Sequence, residues 1–191
     1  AADQGCISIL FTNTIPNMPA WGGKENRLGN NPLVIAIPRK EGHVVLDMAL
    51  SQFSFGKMQS LDLKNKELPF HGGWDSNNEL SKDPRDIMDS GRALPVGYWK
   101  GSALSMILDM LATLLSAGNS TYKIGLKKNE TALSQVFMCI DPSSFTDTEI
   151  QQNLLNEIIQ FTHDGPPLQK GDSTFYPGER TLATRKKSGI E

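Results

Sequence analysis

A chain of 191 residues with 38% hydrophobic and 21% charged residues has an ordinary globular composition. It is long enough to bury a core in one domain or one and a half without a disulfide scaffold. A formal net charge of −2 excludes a general attraction to nucleic acid or to an anionic membrane, so partners must be sought in local sites. The longest apolar-rich stretch, Ser102 to Leu115, is broken by Asp109 and is too short to span a bilayer.

In chain order, Ala1-Ala2-Asp3-Gln4-Gly5 has neither an initiator methionine nor the regions of a signal peptide. It reads as a helix end entering a strand, so the chain is expected to begin inside a longer protein. Gly5 to Thr12 (GCISILFT) has the composition of a buried strand. Asn13 to Gly29 is rich in Pro and Gly and predicts a loop without regular structure. Strands are expected at Leu33 to Ile37 and His43 to Met48, and the Pro38-Arg39-Lys40-Glu41-Gly42 turn between them suits a hairpin in a partly antiparallel sheet. The stretch from Ala49 to Ser60 is expected to be helical. Residues 62–96 are polar, contain three prolines and Gly72-Gly73, and predict an extended surface excursion.

From Ser102 the spacing of Leu104, Ile107, Leu108, Leu111 and Leu115 predicts a helix that buries this face and ends near Gly118. Gln135 to Ile140 is a strand stopped by Asp141-Pro142, and Thr146 with Glu149 has capping-box spacing for a helix through about His163. After Gly165-Pro166-Pro167 the tail is polar up to Tyr176-Pro177-Gly178-Glu179-Arg180, beyond which a short basic helix to about Ser188 is expected. Strands alternate with helices, which makes the class α/β. Cys6 and Cys139 each sit in an apolar run, which favours buried reduced thiols and a cytoplasmic compartment.

Several chemistries find no support in the spacing. His43, His71 and His163 lie far apart with no carboxylate cluster of metal-ligand type, so no metal is expected. Neither G-x-G-x-x-G nor G-x-x-x-x-G-K-[ST] occurs, which removes the usual nucleotide-binding loops. There is no G-x-S-x-G elbow, and neither cysteine has a histidine partner nearby.

Three places retain chemical interest. In Val45-Leu46-Asp47-Met48-Ala49 a carboxylate interrupts a strand end, either to accept hydrogen bonds from ribose or nicotinamide or to cap a following helix. Gly97-Tyr98-Trp99-Lys100-Gly101-Ser102 runs into the long helix and offers free N–H groups and a lysine to an anion, or else is an ordinary helix entry. Pro177-Gly178-Glu179-Arg180 is a third turn into a helix. Arg185, Lys186 and Lys187 follow it, either to hold a pyrophosphate or to complement the helix dipole.

Longer stretches carry a resemblance. Thr12-Asn13-Thr14, MPAWGGKENRLGNNPLVIAIP (Met18 to Pro38), VVLDMA (Val44 to Ala49), LPVGYWKGSALSMILDMLATLLSAG (Leu94 to Gly118) and YPGE (Tyr176 to Glu179) together resemble the non-Rossmann malate/L-lactate dehydrogenase family. The GYWKGS wording and Phe53-Ser54-Phe55-Gly56 resemble its diketogulonate reductase branch most. The resemblance implies an L-sulfolactate dehydrogenase-like fold, with a large mixed, partly antiparallel sheet covered by helices. It also implies a cytoplasmic homodimer and an NAD- or NADP-dependent reaction between a 2-oxo acid, 2,3-diketo-L-gulonate first, and its 2-hydroxy acid.

By the same resemblance, cofactor contacts fall on Thr14, on His43, Val44, Val45, Leu46, Asp47, Met48 and Ala49, on Trp99, Lys100 and Gly101, and on Pro177, Gly178 and Glu179. Arg180 or Lys186 could serve a 2′-phosphate. The family's proton-donating histidine lies in a Ser-His-Gly stretch, which is absent here and is expected upstream; His71 before Gly72-Gly73 does not match it. The catalytic acid is therefore expected outside this chain. Dehydrogenases of malate, lactate, ureidoglycolate or a cyclic imino acid, or a non-catalytic cofactor-binding or dimerisation fragment, are the alternatives.

Overall fold

In the computed structural model, residues 1–127, 129–169 and 171–189 are described. The strands among them are β1 (Ile7–Thr12), β2 (Met18–Pro19), β3 (Asn26–Leu28), β4 (Leu33–Ile37), β5 (Val44–Met48), β6 (Gly73–Trp74), β7 (Leu80–Ser81), β8 (Arg92–Ala93) and β9 (Gln135–Ile140). The helices are α1 (Phe55–Asp62), α2 (Pro84–Ser90), α3 (Trp99–Ser116), α4 (Thr121–Gly125), α5 (Thr148–His163) and α6 (Glu179–Ser188). The chain divides into a first unit, Ala1–Leu10, Val34–Asp47 and Phe137–Glu191, and a second unit, Phe11–Leu33 and Met48–Val136.

The first unit is built on a four-stranded sheet of order β5-β4-β1-β9. The strand predictions for this sheet hold to within one or two residues, because β-branched and aromatic side chains dominate each run. The order is not the doubly wound one, in keeping with the missing glycine fingerprint. Helix α5 is capped by Asp147, whose carboxylate accepts from the Glu149 N–H at 2.8 Å, and not by Thr146 as the capping-box spacing suggested. An aspartate one residue later outcompetes the threonine for the same orphan donors. Cys6 is half-buried and Cys139 is exposed on β9; both are free thiols, so the expected burial fails where the strand turns a face outward.

In the second unit the region expected to be an irregular excursion is folded. Residues 62–96 supply α2 and the antiparallel sheet β7-β6-β8, and Leu68 and Ile87 bury themselves against Met58 of α1. The elements were hidden because each strand is two residues long and shows no period. Pro84, one of the three prolines of this stretch, is the first residue of α2 behind the Asp83 cap, where a missing N–H costs nothing. The Asn13 to Gly29 loop likewise contains β2 and β3, paired antiparallel with Met18 opposite Leu28. The helix expected over Ala49 to Ser60 forms only from Phe55, as α1, because Ser54 caps it and its hydroxyl accepts from Lys57 N.

Helix α3 corrects the periodicity reading most sharply. Its buried residues are Gly101, Ser102, Ser105, Leu108 and Ala112, whereas Leu104, Ile107, Leu111 and Leu115 are exposed. Small side chains let the backbone approach closely, and the hydroxyl of Ser105 donates to Gly29 O at 2.7 Å, so the polar face turns inward.

Candidate functional site

In the first unit two predicted segments meet. The Val45 N–H of β5 donates to Pro177 O at 2.9 Å, which lays the Tyr176–Glu179 turn along the strand. Gly178 caps α6 at φ 90°. A Cβ there would sit 3.1 Å from Val45 O and 3.2 Å from Val45 N, so the left-handed backbone and the close approach both require glycine. Glu179 closes the turn: its N–H donates to Tyr176 O at 3.2 Å, and its Oε2 accepts from Tyr176 N at 3.0 Å and lies 3.1 Å from His163 Nε2.

The junction opens into a cleft of about 390 Å³ lined by His43, Val45, Asp47, Gly178, Thr181, Leu182 and Arg185. Asp47 is exposed, and the next helix, α1, is capped by Ser54, so Asp47 is not a helix cap. Thr181 and Leu182 were missed as lining residues, and Arg185 was named under two open readings. They follow Gly178 at i+3, i+4 and i+7, one face of a helix, which is the pattern that would have found them. Arg185, read either as a pyrophosphate holder or as a complement to the helix dipole, contributes a guanidinium to the cleft wall.

His43 is committed on both ring nitrogens. Its Nδ1 accepts from Arg39 N at 3.1 Å, and its Nε2 lies 2.9 Å from Asp3 Oδ1. With Nδ1 held as an acceptor, the proton belongs on Nε2 facing Asp3. Val44 and Leu46, which flank Val45 in β5, are half-buried.

The remaining predicted residues belong to the second unit. Thr14 is buried: its N–H donates to Asn31 Oδ1 at 3.0 Å, and its hydroxyl has Ile15 O and Asn30 Oδ1 each at 3.2 Å. Met48 and Ala49 are half-buried and lead into Leu50, whose N–H donates to Asn30 O at 2.7 Å.

The free N–H groups expected before the long helix are largely engaged. Lys100 N donates to Gly97 O at 3.2 Å, Gly101 N to Val96 O at 2.9 Å, and Ser102 N to Tyr98 O at 3.1 Å. Trp99 and Lys100 are themselves the first residues of α3, because the loop carbonyls let the helix begin three residues earlier than the apolar spacing predicts. Gly101 is a packing residue: a Cβ on it would lie 2.2 Å from Val96 O. Lys100 is exposed, with its ammonium 6.0 Å from the centre of the Trp99 ring.

A buried polar network went unseen in the sequence. The Asn13 side chain donates to Asp109 Oδ1 at 2.8 Å and to Asn119 O at 2.7 Å, and accepts from Ser134 N at 2.8 Å. Thr121 N donates to the same Asp109 oxygen at 2.9 Å, and Asn31 donates to Ser105 O at 2.9 Å. Asp109 breaks the apolar run of α3 because it serves these donors. Among the described residues no three His, Cys, Asp or Glu side chains gather as metal ligands would, and no helix is long and apolar enough to cross a membrane.

Residues 1–191 match the family pattern of malate/L-lactate dehydrogenase. The chain is 44% identical over 194 residues to 2,3-diketo-L-gulonate reductase of Salmonella paratyphi B and 39% identical to the protein of that name from Klebsiella pneumoniae. Each alignment takes in 100% of this chain and 58% of the relative, so the chain spans little more than half the length of these relatives. Among solved structures, sulfolactate dehydrogenase from Methanocaldococcus jannaschii superposes with a TM-score of 0.81 at 27% identity, over 97% of this chain and 54% of that one. Malate dehydrogenase from Entamoeba histolytica superposes with a TM-score of 0.88 at 24% identity, over 98% of this chain and 56% of that one, a likeness of fold.

Proposed function

The chain belongs to the malate/L-lactate dehydrogenase family, and on that premise we propose that it is the cofactor-binding part of an NAD(P)H-dependent 2-oxo-acid reductase with 2,3-diketo-L-gulonate as its favoured substrate. The observation that carries this reading is the cleft between β5 and α6, where Asp47 and Arg185 share one wall system with Gly178. A carboxylate there accepts hydrogen bonds from sugar hydroxyls, a guanidinium holds a phosphate, and a glycine leaves the backbone open to a flat ligand. These residue types fit a dinucleotide. When bound, the nicotinamide supplies or takes the hydride.

The described residues themselves bind and orient. Asp47 is the acceptor for a ribose hydroxyl or the carboxamide, and the α6 face of Thr181 and Arg185 meets the phosphate-bearing portion. Asp47 favours a free 2′-hydroxyl and Arg185 a 2′-phosphate, so both NADH and NADPH are to be tried. Arg180, an alternative partner for the 2′-phosphate, has its guanidinium 4.1 Å from the centre of the Phe175 ring.

His43 and His163 each face a carboxylate, and His71 stands exposed in a loop. The proton donor is accordingly assigned to the portion of the longer relatives with no counterpart here. Homodimer formation and a cytoplasmic setting rest on the family resemblance, and sedimentation of the purified protein checks the dimer.

Following reduced-cofactor absorbance with 2,3-diketogulonate, malate-, lactate- and ureidoglycolate-derived 2-oxo acids and a cyclic imine tests the reading on the complete gene product. Turnover with diketogulonate is expected to exceed the others, and inactivity with all of them sinks the proposal. The 58% coverage of the relatives favours a second reading for these 191 residues by themselves, a chain that binds cofactor without turnover.

A further inference from the structure

Away from the cleft wall, the end of α5 makes a polar clasp on the turn that enters α6. His163 is the last residue of α5 and Glu179 the first of α6. One carboxylate oxygen, Glu179 Oε2, has Tyr176 N at 3.0 Å and His163 Nε2 at 3.1 Å. The two side chains are only 29% and 26% exposed, so water competes weakly for this contact. The same last turn of α5 holds the incoming loop a second time, through Thr174 Oγ1 donating to Thr162 O at 2.9 Å. The centre of the Tyr176 ring is 6.1 Å from that of His163 and 5.6 Å from the Arg39 guanidinium. Arg39 is in turn fixed to α5 through Asn156, at 2.8 Å.

We propose that His163 is a positioning residue for cofactor binding: by donating from Nε2 to Glu179 it holds the Tyr176–Glu179 turn in the shape that seats Gly178 on Val45. The inference rests on the reading that the β5–α6 cleft takes a dinucleotide. The chain of contacts is short. His163 fixes the Glu179 carboxylate, the carboxylate fixes the Tyr176 N–H, and the closed turn presents Pro177 O to Val45 N at 2.9 Å. Without the histidine, Glu179 keeps one donor and gains rotamer freedom, and the turn loses its tie to α5. What matters is a donor at the Nε2 position and not the ring, so the amide of glutamine should replace it and phenylalanine should not.

The test compares His163→Ala, His163→Phe and His163→Gln in the complete gene product. It reads Kd for NADH and NADPH by fluorescence, KM for cofactor and for 2-oxo acid, kcat, and amide hydrogen exchange over Phe175 to Leu182 in the ligand-free protein. Ala and Phe are expected to raise cofactor Kd and KM about tenfold, the scale of one hydrogen bond to a charged group, with kcat within about twofold. They are also expected to speed exchange over that segment, while Gln returns both measures to within about threefold of wild type. Cofactor binding by Phe equal to wild type, or Gln as weak as Ala, overturns the inference. A wild-type protein that binds neither dinucleotide overturns the oxidoreductase reading and this inference together. Wild-type binding with an unaltered His163→Ala variant overturns this inference alone.

Discussion

Gly178 and Gly101 show how single positions constrain the molecule for different reasons. Gly178 has φ 90° and a Cβ would press within 3.3 Å of three Val45 atoms, so Gly178→Ala is expected to cost about 1–3 kcal/mol and to weaken cofactor binding as the turn lifts from β5. Denaturant unfolding combined with dinucleotide titration checks both effects, and an unchanged midpoint would refute the strain argument. Gly101 is helical, and a Cβ would meet backbone Val96 O at 2.2 Å, which nothing but a shift of the helix can relieve. Gly101→Ala should therefore lower stability by about 2–4 kcal/mol, visible as a drop in melting temperature without any ligand. The sequence marked both glycines as chemically interesting but could not separate a packing requirement from a ligand-facing one. Backbone proximity between distant segments leaves no trace in residue spacing. The same holds for His43, whose contact with Asp3 spans 40 residues.

Elements with a strong local pattern were legible: β1, β4, β5, β9, α5 and α6 follow from β-branched runs, caps and charge. The two-residue strands β6, β7 and β8 were not, because their pairing is decided by partners and not by period. Helix α3 was recognised as a helix with the wrong face inward, since an apolar stripe was taken as the buried one while Ser105 and Asp109 were satisfying buried donors and acceptors. Leu114, 77% exposed, should tolerate lysine within about 0.5 kcal/mol, whereas Ser105→Leu, which is overpacked and leaves Gly29 O and Asn31 without their hydroxyl partner, should cost about 3 kcal/mol or more. Parallel urea melts decide this, and the opposite ranking would mean that α3 packs the other way.

The β6–β7 turn makes a separate prediction in acid. The Asp75 carboxyl is held below its usual value, first by the Glu79 N–H and then by hydrogen bonds from Asn77. A depressed folded-state value means that the contribution is present above the unfolded carboxylate range and is lost as pH falls through the folded value. Protection of the Asn77 and Glu79 amides, taken as the intrinsic exchange rate at each pH over the observed one, should therefore fall on acidification in the wild type and be already low and independent of pH in Asp75→Ala. An Ala variant that retains the acid-dependent step would exclude Asp75 as its source.

At the scale of the whole molecule, the family was readable from five separated stretches, whereas the cleft proposed for the cofactor depends on contacts that residue spacing does not encode. Residues 43–47 and 177–179 are far apart in the chain, and only the Val45 to Pro177 hydrogen bond shows that they form one wall. For the 191 residues expressed alone, dinucleotide binding is expected without measurable reduction of any 2-oxo acid, because the described histidines are exposed or paired with carboxylates. Turnover by this chain alone would show that a group assigned here to positioning serves as the acid. The Asp3 to His43 contact carries one more consequence. Asp3 is 88% exposed, yet it restrains an imidazole on the cleft rim. An Asp3→Ala substitution would unlatch that ring, so this variant, remote from the cleft floor, should differ from wild type in coenzyme grip.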